Sequence, residues 1–170
     1  MRQTSILSNA LLKPSQRGFT IIELMVTLTI LAILASVTMP LLKLTLQRNK
    51  EVTLTQNLMQ LRDAIDDYKQ AADDGRIKKE LDQSGYPPNL AVLVTGVEDI
   101  KDPKKRIIKF LRRIPKDPMR NQDEQRPFEH DWGLRSYHSE ADNPQYDDDV
   151  YDVYSLSPLT GINGVPYAQW

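Results

Sequence analysis

The 21 residues from Phe19 to Met39 contain one ionisable side chain, Glu23. A bilayer hydrocarbon core of roughly 30 Å needs about 20 apolar residues at about 1.5 Å of rise each, so this stretch is long enough to cross a membrane once as a helix. It fits a cleaved secretory signal less well. Such a signal has an apolar run of about 7–15 residues ending in a small-x-small site, whereas this run reaches Pro40 and helical patterning resumes after it. The segment is therefore expected to stay in the mature protein.

Residues 1–18 differ in character. Arg2, Lys13 and Arg17 are basic, no acid is present, Pro14 interrupts any helix and Gly18 closes the section. They read as a cytosolic leader. Lys43, Arg48 and Lys50 flank the other end of the span, so charge alone leaves its orientation open. Glu23 is costly in lipid, on the order of 2.5–3.5 kcal/mol near the bilayer centre and less at the interface. Two readings compete for it: an interfacial carboxylate near the helix end, or a partner for a cation at the same depth. Cleavage after Gly18 would create such a cation, the amine of Phe19, one helical turn from Glu23 in an axially offset neighbour.

Beyond Pro40 no proline occurs until Pro87, and Leu54, Leu58, Leu61, Ile65, Tyr68 and Ala72 recur at helical spacing. The spacing predicts one apolar face of a helix that Gly75 stops. A continuous helix from Phe19 to Asp74 would measure roughly 84 Å at about 1.5 Å per residue. Pro40, inside it, is expected to cause a kink or a locally melted turn. From residue 75 the chain is expected to be globular, with short elements among its many prolines: one or two helical turns over 89–94, a short amphipathic helix through Ile107, Ile108, Phe110, Leu111 and Ile114, and strands over 132–137 and 150–156. The economical architecture is an antiparallel sheet of two to four short strands packed on the long helix.

The absence of cysteine excludes a disulfide scaffold, a thiolate metal site and a cysteine nucleophile. No phosphate-cradling glycine loop, G-x-S-x-G or H-E-x-x-H is present, and His130, His138 and Glu140 form only a loose polar set. No enzyme and no cofactor are expected. The net charge of −1 gives no bias toward nucleic acid, and the basic stretch 101–120 lacks a stacking platform. That stretch holds nine Lys or Arg, while residues 139–152 hold six acids and no base. Arg112 and Arg113 of one copy are candidates to meet Asp148 and Asp149 of another, against the alternative that both are solvated faces. Asp147, Asp148 and Asp149 could also form a calcium cluster, but a solvated acidic loop is favoured because successive side chains cannot all face one ion without a turn.

The run Arg17-Gly18-Phe19-Thr20-Ile21-Ile22-Glu23-Leu24-Met25-Val26 resembles the class III leader and first mature residues of type IV pilins and type II secretion pseudopilins. The Tyr86-Pro87 turn with Leu90 and Leu93, the run Phe110–Pro118, Asp152-Val153-Tyr154-Ser155-Leu156 and Trp170 resemble the major, G-type pseudopilin of type II secretion.

The resemblance implies an α+β, type IV pilin-like fold: leader 1–18, transmembrane helix 19–39, amphipathic helix 40–74 and periplasmic domain 75–170. It implies cleavage after Gly18 and N-methylation of Phe19 by a prepilin peptidase, with Glu23, Phe19 and Pro40 serving assembly. It further implies a single-pass bacterial inner-membrane protein that forms a homopolymer with minor pseudopilins on an inner-membrane assembly platform, a fibre that drives protein export. Calcium often occupies the loop after the Tyr-Ser strand in that subfamily. Here residues 157–170 contain no Asp or Glu, so no metal is expected there, and packing of Tyr167 and Trp170 is expected instead. Two alternatives remain at this point: a type IV pilin serving adhesion, motility or DNA uptake, and a single-pass anchored binding protein that forms no fibre.

Overall fold

The computed structural model describes residues 18–80, 82–120 and 130–170. Arg2, Lys13, Pro14 and Arg17 of the leader lie outside the described residues. The element order is α1 (Ile21–Asp73), α2 (Ala91–Thr95), β1 (Val97–Glu98), β2 (Ile107–Ile108), β3 (Trp132–Arg135), β4 (Asp152–Ser155) and a 3₁₀ turn, Tyr167–Gln169. The chain divides into two units within α1, one ending at Leu42 and one spanning Lys43–Trp170.

In the first unit α1 is long and apolar enough to cross a membrane. All side chains from Gly18 to Ser36 are exposed, including Phe19, Ile22, Leu28 and Leu34. The hydroxyls of Thr27, Thr29, Ser36 and Thr38 donate to carbonyls three or four residues back at 2.7–2.9 Å. They therefore need no water, which suits a helix in hydrocarbon. The helix continues through Pro40, so of the kink or locally melted turn expected there the melted turn is not found. Proline removes one backbone N–H donor, so a helix can run through it with a rung missing.

In the second unit the predicted stripe is the core. Leu54, Leu58, Leu61, Ile65, Tyr68 and Ala72 are buried together with Ala64 and Ala71. They pack against Leu90, Leu93, Leu111, Ile114, Trp132, Val150, Val153 and Tyr167. Gly75 ends the helix with φ 66°: its N–H reaches the Ala72 carbonyl at 2.9 Å and that of Arg76 reaches Ala71 at 2.9 Å. This is a Schellman stop, which needs the left-handed backbone that glycine adopts without cost from a Cβ.

The expected helix over 107–114 is absent. Ile107 and Ile108 pair antiparallel with Glu98 and Val97, and the N–H groups of Phe110 and Leu111 both reach the Leu93 carbonyl at 3.0 and 2.9 Å. Those donors are thereby withdrawn from any helical ladder, and two adjacent β-branched residues favour the strand. The antiparallel pairing is divided into two separate two-stranded sheets, β1–β2 and β3–β4. In the latter Trp132 lies opposite Ser155 and Gly133 opposite Tyr154. A Cβ on Gly133 would fall 2.3 Å from the Tyr154 ring, so the ring lies directly over the glycine.

Candidate assembly site

The N-terminal turn of α1 holds the candidate assembly residues. Gly18 and Phe19 are exposed, Phe19 by 82%, and nothing lies within 4 Å of a Cβ built on Gly18. The Glu23 N–H donates to Thr20 Oγ1 at 3.2 Å, so Thr20 caps the helix and Glu23 stands at its third position. Thr-x-x-Glu is the capping-box pattern, a local signal that the sequence reading passed over. The Glu23 carboxylate is exposed and has no ion pair among the described residues. Near the positive end of the helix dipole a carboxylate is favourably placed.

The charged segments are more committed than their composition implied. Asp149, expected on a solvated loop, is buried; it accepts from Ser84 Oγ and, at 2.9 Å, from the Tyr137 N–H. It is an internal brace that closes the 137–149 loop and is not available to a neighbour. Asp152 likewise sits between Arg62 at 2.8 Å and Arg135 at 3.1 Å. Glu140, Asp142, Asp147 and Asp148 stay exposed. In the basic segment Arg106 pairs with Asp102, and Lys105 lies 3.9 Å from Glu98. Arg112 and Arg113 are exposed beside an open groove of about 860 Å³ along α1, with no ion pair among the described residues. Asn57 Nδ2 donates to the Lys116 carbonyl at 2.9 Å and fixes that segment against α1.

His130 and His138 are exposed; the carbonyl of the first accepts from Arg120 at 2.6 Å and the ring of the second meets Tyr137 edge-on. No group of three metal-ligating side chains is gathered among the described residues.

Asp117 is the one deeply buried acid of the basic segment, 3% exposed, accepting from Ser155 Oγ at 2.5 Å and from the Met119 N–H at 2.8 Å. Burial pushes its carboxyl above the ordinary aspartate value, although both hydrogen bonds oppose the rise. Because the folded state holds this proton more tightly than the unfolded chain, Asp117 favours folding most below the unfolded value. That contribution is lost as pH rises through the folded one. Asp117→Asn should therefore gain stability relative to the wild type as pH rises from about 4, then hold a constant difference. Paired denaturant melts across pH 3–7 check this, and a difference independent of pH would refute it.

A small α+β domain on a long helix, whose apolar head begins at Gly18-Phe19 and carries Glu23, defines a type IV pilin-like protein. The family model described as "Prokaryotic N-terminal methylation motif" matches residues 13–39. The type II secretion system core protein G of Klebsiella michiganensis is 32% identical over 112 residues, covering 62% of this chain and 70% of the relative. That of Vibrio cholerae is 33% identical over 109 residues, covering 62% and 67%. That of Aeromonas hydrophila is 31% identical over 113 residues, covering 64% and 71%. No solved structure matches. The chain belongs to the type II secretion system core protein G family. It is a structural pseudopilin and not an enzyme, anchored in a membrane by a single pass.

Two long-range polar contacts of α1 with the end of the chain escaped the sequence reading. Arg62, outside the apolar stripe of α1, donates to Asp152, to the Val153 carbonyl at 3.2 Å and to the Trp170 carbonyl at 2.8 Å. Glu51 carried no signal at all, and its partners lie 111 and 116 residues away.

Proposed function

We propose that this chain is cleaved after Gly18 by a prepilin peptidase, N-methylated at Phe19 and stored in the bacterial inner membrane by residues 19–39. Its second unit faces the periplasm, and subunits polymerise into a short fibre that drives protein export. Its partners are further copies of itself, minor pseudopilins and the inner-membrane assembly platform. The observation that carries this reading is Glu23 in the first turn of a helix whose apolar side chains from Phe19 to Leu34 are all exposed, directly after a Gly18-Phe19 processing motif. Helices in lipid gain little hydrophobic energy by associating, so a specific polar pair is a natural way to fix their register.

Cells that overproduce the chain with its secretion apparatus should yield, on shearing, fibres of processed subunit. Cells lacking the chain should retain exported proteins in the periplasm. Normal export without the chain would overturn the reading.

Arg112 and Arg113 supply a lateral contact in this model, meeting Asp148, with Asp147 in place of the buried Asp149, on the next copy. Such a head-to-tail contact between unlike patches builds an open filament. Exposed pairs contribute about 0.2–1 kcal/mol each, so Arg112→Glu with Arg113→Glu should lower fibre yield roughly three- to tenfold. Adding Asp147→Lys and Asp148→Lys should restore it. Fibre yields that fall with the first pair and are not rescued by the second would refute the pairing.

A further inference from the structure

Beyond β4, residues 157–170 return to α1, where Arg62 holds the Trp170 carbonyl and a second set of polar contacts gathers on one side chain. Glu51 is 9% exposed. Its Oε1 accepts from the Ile162 backbone N–H at 2.8 Å, from the Tyr167 hydroxyl at 2.8 Å and from Gln47 Nε2 at 3.2 Å. Gln47 Nε2 also donates to the Tyr167 oxygen at 3.1 Å, which closes the set. Tyr167 is 1% exposed and meets Trp170 edge-on, ring centroids 5.2 Å apart. Burial, with the Glu51 bond adding to it, raises the phenol pKa, so the hydroxyl remains a donor. Gly161 lies under this pair: a Cβ there would come 2.7 Å from the Trp170 ring and 2.8 Å from Asn163 Oδ1.

The resembling subfamily holds Ca²⁺ in this loop, and the donor set here does not fit that ion. Residues 157–170 contain no carboxylate side chain, and Asn163 Oδ1 accepts from the Val165 N–H at 3.0 Å. The carboxylate that does reach the loop comes from α1, and three donors point their hydrogens at the same oxygen. Converging N–H and O–H groups present positive dipole ends, the field of an anion seat rather than a cation seat.

We propose that the Glu51 carboxylate latches the loop 157–170 onto α1, performing the ordering task that a bound cation performs elsewhere, so that the loop is ordered independently of Ca²⁺. The test is limited proteolysis of the processed full-length protein in detergent, with either CaCl₂ or EGTA, scoring cuts within 157–170. The wild-type loop should be cut at the same rate in both. Glu51→Ala leaves the Ile162 N–H and the buried Tyr167 hydroxyl without their acceptor, and should speed cutting at least tenfold, at about 1.4 kcal/mol per factor of ten. Glu51→Gln, which keeps an acceptor oxygen, should have a smaller effect. If Glu51→Ala fails to fold, Tyr167→Phe keeps the ring packing, removes one donor and should give a modest acceleration unaffected by calcium. Slower cutting of the wild-type loop with CaCl₂, or wild-type rates in both Glu51→Ala and Tyr167→Phe, would overturn the proposal.

Discussion

Glu23→Val should leave the protein in the membrane and processed after Gly18, yet abolish fibre formation. The side chain lies in the first turn of α1, exposed and without an ion pair among the described residues. Valine removes a carboxylate that disfavours lipid, so insertion is unharmed or improved. Assembly loses its charge partner. Truncating one member of a desolvated charge pair costs on the order of 2–5 kcal/mol, which weakens each subunit addition about 30-fold to several thousand-fold. Sheared fibre should fall accordingly while membrane-extracted subunit stays constant. Glu23→Gln separates this role from the helix cap: glutamine also suits the capping box with Thr20 but carries no charge, so it should fail to assemble as well. Fibre yields at the wild-type level in both variants would refute the role given to Glu23.

Leu61→Ala should be among the most damaging single truncations on the stripe of α1. Leu61 is fully buried within the cluster that joins the helix to the rest of the second unit. Truncations of this kind cost about 2–5 kcal/mol, because the transfer energy of the lost methyls is joined by that of the cavity they leave. Against a typical total of about 5–15 kcal/mol, the melting midpoint should fall by roughly 6–25 °C. Met59, two residues away and 58% exposed, is the internal control. Met59→Ala should shift the midpoint by far less, and equal shifts in the two variants would contradict the packing described.

The long helix was legible because its determinants are local: a 21-residue apolar run, then leucines every three or four residues, then a glycine stop. Leu54 to Ala72 are buried as that spacing requires. The segment 107–114 misled because its apolar spacing suits a helix equally well. What decides it is distant, the Val97–Glu98 strand and a Leu93 carbonyl that takes two N–H groups. The acidic loop failed for the same reason. Asp149 and Asp152 look like Asp147 and Asp148 in sequence, and only Ser84 and Tyr137 bury the first, while Arg62 and Arg135 hold the second half-buried. Glu51 is the extreme case: its partners Ile162 and Tyr167 belong to the far end of the chain, beyond the reach of any local pattern. The Thr20–Glu23 cap was readable but eclipsed, since Glu23 already answered to a second motif.

Intact-mass analysis of the protein extracted from membranes tests the central claim most directly, because the partner assigned to Glu23 exists only if the chain is cut. The expected species begins at Phe19 and carries one added methyl group, and replacing Gly18 with a bulky residue should abolish it. A wild-type protein that still begins at Met1 would have no amine at Phe19 for Glu23 to meet, and would contradict the assembly mechanism.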